Sequence, residues 1–64
     1  MDLSRDRLER LIDQYIHKDR DRNILKRRWF DGIAFEPLAE EFELSVRRVK
    51  DIVYSSEKIL TKYI

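Results

Sequence analysis

The sequence predicts an all-α domain of three to four helices, with a C-terminal helix-turn-helix and a long last helix. Two observations carry that expectation. Apolar residues recur at three- and four-residue spacing along most of the chain, with no convincing strand pattern between them. The one glycine and one proline, Gly32 and Pro37, fall where helices need separating.

The first element is expected over about residues 5–17. Leu8, Leu11, Ile12, Tyr15 and Ile16 share one helical face, Ser4 suits the N-cap, and Leu3 is placed to meet Leu8 as a hydrophobic staple. Arg5 with Glu9 and Asp6 with Arg10 stand four apart on the solvent side. A second helix over about 20–31 takes Asp19 or Asp21 as its cap and stops at Gly32, the residue best suited to a left-handed conformation. Ile24, Leu25 and Trp29 form its inner face and Phe30 points nearly the opposite way, so neighbours are expected on both sides. Arg28 falls between the inner residues. Its stem is expected at the core margin with its guanidinium on a glutamate of helix 3, the functional alternative being a phosphate contact.

Helix 3, about 35–42, begins near Phe35 to Pro37, because proline is tolerated in a first turn. Phe35, Leu38, Ala39 and Phe42 are its inward stripe. The glutamates Glu36, Glu40 and Glu41 point outward near a helix N-terminus, where negative charge is favoured. Ala34 is a weak cap, and Glu43 takes a turn position where a left-handed residue costs on the order of 1 kcal/mol unless it is glycine. Ser45 then caps a last helix over about 45–63. Its inward stripe is Val49, Ile52, Val53, Ser56, Ile59, Leu60 and Tyr63.

The chain has 64 residues, which suits one domain over 1–64 that buries roughly 60% of the surface of the unfolded chain. It has no cysteine, so disulfides and cysteine-ligated zinc are excluded, and a reducing, cytoplasmic location is expected. No apolar run approaches the roughly 20 residues of a membrane span, and the charged start MDLSRDRLER is unlike a signal peptide, so a soluble protein is expected. Net charge is only +1 although 42% of residues are charged, and the informative feature is its distribution. Residues 33–44 carry four acids and no base, whereas residues 45–64 carry five bases and two acids. The sign changes across Ser45.

A capped, basic helix joined by about three residues to a short helix with small Ala39 at the approach describes a helix-turn-helix unit. In such a unit the second helix enters the major groove of DNA, and the sign change separates a solvated supporting helix from one that faces a polyanion. The expected DNA-binding residues are Ser45, Val46, Arg47, Arg48, Lys50, Asp51 and Tyr54. Arginine and lysine fork onto guanine, and Asp51 accepts from a cytosine amino group. Each also has a plainer role: Arg47 and Asp51 as a solvated pair, Tyr54 as an ordinary surface tyrosine. Trp29 is expected in the core rather than as a stacking platform, and His17 has no second ligand near it. No phosphate loop, nucleophile–histidine pair or metal-ligand spacing is present, so neither catalysis nor a cofactor nor a metal is expected.

The span DRNILKRRWFDGIAFEPLAEEFELSVRRVKDIV, about half the chain, resembles the fourth conserved region of bacterial sigma factors. The resemblance rests on ILKRRWFDG, FEPLAEEFELS and VRRVKDIV taken together. It implies a compact DNA-binding domain that acts in transcription regulation, with Val46, Arg47, Arg48, Lys50 and Asp51 at promoter-contacting positions. With no room for the family's other domains, a stand-alone small regulator of bacteriophage or mobile-element type is expected. The alternative is a protein-interaction module, an adaptor or antagonist of transcription proteins, that keeps the scaffold without binding DNA. Its surface would be Phe30, Ile33, Ile59, Leu60, Tyr63 and Ile64. A single helix reads roughly four base pairs at about 1–3 kcal/mol per mismatch, which selects poorly among genomic sites. A second copy of the chain or RNA polymerase is therefore a further candidate partner.

Overall fold

Four helices run through the computed structural model, which describes residues 4–64: α1 (Arg5–Tyr15), α2 (Asp19–Phe30), α3 (Phe35–Glu41) and α4 (Val46–Leu60). Leu3, one half of the expected staple, lies outside the described residues. α4 packs against each of the other three helices, and among the described residues α1 and α3 make no contact. The long helix is thus the element around which the others are arranged.

The core is built from the predicted stripes. Ile12, Ile24, Leu25, Leu38, Val49, Val53 and Leu60 are fully buried, and Leu11, Ile16, Ala39 and Ile52 nearly so. Several stripe positions are less buried than expected, Tyr15, Trp29, Phe35 and Phe42 being half-buried at the core margin. Leu8 is only half-buried, and Ile59 is 40% exposed because it sits at the edge of the α4 stripe, beside a cleft. Tyr63 is 43% exposed, yet its ring stacks on Tyr15 with centroids 3.7 Å apart and planes 5° from parallel. That stack and the Arg7 guanidinium, which donates to the Tyr63 carbonyl at 3.4 Å, hold the chain end onto α1.

Both serine caps form. The Ser4 hydroxyl accepts from the Arg7 amide at 3.3 Å and the Ser45 hydroxyl from the Arg48 amide at 3.1 Å. At α2 the expected aspartate cap does not: Lys18 is the N-cap, without a side-chain bond, while Asp19 and Asp21 lie inside the first turn. There they favour the positive end of the helix dipole. α1 stops at Tyr15 rather than about residue 17, because Ile16 turns extended, and Arg22 of α2 reaches back to its last turn. The guanidinium donates to the carbonyls of Ile16 and, at 3.1 Å, Asp13, so a neighbouring helix supplies the cation this C-terminus lacks. α4 likewise ends at Leu60, three residues short of expectation, where the chain enters a turn.

Gly32 takes φ +67° after α2, with open space where a Cβ would sit, so the backbone angle and not crowding selects glycine there. The α3–α4 connection is a Schellman turn. The Leu44 amide donates to the Ala39 carbonyl at 2.9 Å and the Glu43 amide to the Glu40 carbonyl at 3.2 Å, with Glu43 at φ +56°. Glu43 is the one non-glycine residue with positive φ among the described residues. α3 itself has Ala34 as an N-cap without a side-chain bond, as its sequence implied.

Among the described residues no helix is long and apolar enough to cross a membrane.

Candidate nucleic-acid interface

Helical geometry places the exposed residues of α4. At about 100° per residue, Arg47, Lys50, Asp51, Tyr54 and Lys58 fall within a stripe about 100° wide, roughly opposite the buried Val49, Val53 and Leu60. Ser45, Arg47, Arg48, Lys50 and Asp51 are exposed, Tyr54 is 55% exposed, and Val46 is half-buried against the core. The seven expected residues therefore lie together at one end of α4 and along its outer face, with Val46 a packing residue more than a surface one.

The ion pairs of the described residues all lie elsewhere. Arg5–Glu9, Arg20–Asp21, Arg22–Asp19, Lys26–Asp13, Arg27–Asp31 and Arg27–Glu41 neutralise charges on α1, α2 and α3. None involves residues 45–64, and the plain pairing of Arg47 with Asp51 does not form. The expected Asp6–Arg10 pair does not form either. The last twenty residues carry a net +3, and among the described residues none of their charged side chains enters an ion pair. In water such charges are individually cheap, but grouped on one ridge they produce a field that attracts a polyanion.

Charge on the supporting side is handled differently. Arg27, not Arg28 as the sequence suggested, engages the helix 3 glutamate: its Nε and Nη2 donate to Glu41 at 3.1 and 2.7 Å, while Nη1 holds Asp31 at 2.7 Å. The Glu41 bond, followed by Asp31, raises the Arg27 guanidinium above its ordinary pKa. One residue of register decides this, since 100° of rotation separates neighbouring side chains. Arg28 instead donates to the Ile33 carbonyl at 3.1 Å and lies 4.4 Å from the centre of the Phe35 ring. Lys50 approaches the same ring at 5.6 Å, and Tyr54 meets it edge-on at 5.9 Å. Phe35 therefore gathers two cations, from α2 and α4, neither of which makes an ion pair among the described residues, an arrangement stabilised by the negative face of the ring. Sequence reasoning had no signal for this cluster, whose members are distant in the chain and meet only through the fold.

Trp29 is half-buried against the core, and its indole N–H donates to Glu57 Oε2 at 2.8 Å, tying α2 to the second half of α4. That the Trp29 ring is not a free stacking platform follows from this bond. Among the described residues no group of three or more histidine, cysteine, aspartate or glutamate side chains is disposed to hold a metal ion. No protein-family model, no curated protein and no solved structure matches the chain.

Proposed function

We propose that this protein binds double-stranded DNA and acts in transcription regulation, with the N-terminal half of α4 in the major groove. The observation that carries the reading is the set of cations on the outer face of α4, none of them in an ion pair among the described residues, whereas five of the nine basic residues before α4 are held in ion pairs. Arg47, Lys50 and Asp51 are assigned to base edges, where guanine offers two acceptors and cytosine a donor. Tyr54 follows one turn further along the same stripe. Ser45 and Arg28 are assigned to phosphates. The short α3 beside α4 and the sequence resemblance to the sigma-factor region support the same reading, as does an acidic helix whose Glu41 is turned onto α2 rather than toward α4.

The test is fluorescence anisotropy of a labelled mixed-sequence duplex at several salt concentrations. Wild type is expected to weaken steeply with salt, with log K against log salt falling by about 0.9 for each phosphate neutralised. Arg47→Ala/Lys50→Ala is expected to bind weakly and to flatten that slope. A wild type that fails to bind at 50 mM salt overturns the proposal. In that event the adaptor reading takes over, favoured by the exposed Ile59 and Tyr63 one turn apart near the end of the chain.

A further inference from the structure

Beside the outer face of α4, on the flank away from Phe35, lies a cleft of about 300 Å³. One wall is α4 from Arg48 to Ile59, and the other is the corner between α1 and α2, Tyr15 to Lys18 with Asp21. Its floor is apolar, with Ile16 and Ile52 4% and 5% exposed. Its rim is polar. Lys18 and Arg48 stand on opposite walls with His17 beside them, and none of these side chains makes an ion pair or hydrogen bond among the described residues. Of the two carboxylates present, Asp21 is held by Arg20 at 3.2 Å. The other, Asp51, sits about 40° from Arg47 on the α4 wheel, on the edge nearest the outer face.

The wheel makes α4 a ridge with a cationic shoulder on each side. Lys50 lies about 60° from Arg47 in one direction, joined by Arg28 on Phe35; Arg48 lies about 100° in the other, joined by Lys18 across the cleft. A major groove about 12 Å wide barely exceeds the roughly 10–12 Å diameter of a helix with its side chains. A helix seated there therefore has a sugar-phosphate strand against each shoulder. The cleft offers what such a strand presents: cations at the rim for the phosphate oxygens, and an apolar floor for the sugar face. Asp51, at the edge toward the bases, disfavours a phosphate on the ridge itself and directs it toward Lys18.

We infer that this cleft seats the backbone of the second DNA strand, with Lys18 and Arg48 as its phosphate contacts and His17 as an adjoining donor. The inference rests on the DNA-binding reading above and adds to it the α1–α2 corner, which lies outside the helix-turn-helix. The experiment measures the salt dependence of duplex binding for wild type, Lys18→Gln, Arg48→Gln and Lys62→Gln, the last an exposed cation away from both shoulders. Lys18→Gln and Arg48→Gln are each expected to lower the slope of log K against log salt by about 0.9, so that affinity falls about 3.5-fold less between 50 and 200 mM salt. Lys62→Gln is expected to keep the wild-type slope, and urea midpoints to remain unchanged in all three. Single uncharged methylphosphonates in a duplex selected for tight binding then assign the strand: Lys18→Gln and Arg28→Gln lose sensitivity to substitutions on opposite strands. Wild-type slopes in both cleft variants, with Arg47→Ala/Lys50→Ala still flattened, overturn the cleft assignment and leave the DNA reading standing. A wild type that does not bind overturns both.

Discussion

Replacing Glu57 with alanine removes the acceptor of the Trp29 indole proton and breaks a 2.8 Å bond between the end of α2 and the second half of α4. That bond adds a polar tie to the apolar packing of α2 against α4. Hydrogen bonds to charged groups contribute about 1.5–3 kcal/mol, and water at the half-buried carboxylate brings the expected loss to about 1–2 kcal/mol. For a chain this size total stability is about 3–10 kcal/mol, so the change is a large part of the whole. Trp29 is the only tryptophan, and its emission reports both the local bond and global unfolding. With a urea slope near 1 kcal/mol/M for so small a domain, the midpoint is expected to fall by about 1–2 M. Glu57→Gln keeps a neutral acceptor and is expected to recover about half of the loss. The reasoning is refuted if Glu57→Ala unfolds within about 0.3 kcal/mol of wild type, or if a Trp29→Phe/Glu57→Ala double-mutant cycle gives a coupling below about 0.5 kcal/mol.

Two further substitutions probe the α3–α4 connection. Glu43→Gly relieves a left-handed backbone cost of about 1–2 kcal/mol against a glycine entropy cost of about 0.5–1 kcal/mol, for a net gain near 0.5–1 kcal/mol. Thermal unfolding is expected to shift upward by about 2–8 °C, and a fall in midpoint would contradict the turn as described. Ser45→Ala is expected to lose about 1 kcal/mol with the cap, whereas Ser45→Asp, an equally good cap, unfolds within about 0.5 kcal/mol of wild type. Because its added negative charge sits at the start of the helix assigned to DNA, Ser45→Asp should bind a duplex more weakly at 50 mM salt than Ser45→Ala. Equal binding by the two would remove Ser45 from the phosphate contacts.

The sequence by itself determined the number and order of the helices, the Gly32 and Glu43 turns, the two serine caps and most of the core. These depend on short-range causes: the 3.6-residue period, backbone angles that few residues accept, and hydroxyls that reach amides three positions on. It also located the basic face of α4, since a stripe on one helix is a matter of spacing alone. What the tertiary structure decided is which charge meets which. Arg27 rather than Arg28 takes Glu41, Arg22 closes α1, Phe35 collects Arg28 and Lys50, and Lys18 comes to face Arg48 across a cleft. Helix ends moved for the same reason, α1 stopping where Arg22 reaches its carbonyls. Each of these depends on the rotation and tilt of one helix against another, set by how the buried side chains interlock, and a difference of one residue in register turns a side chain by about 100°.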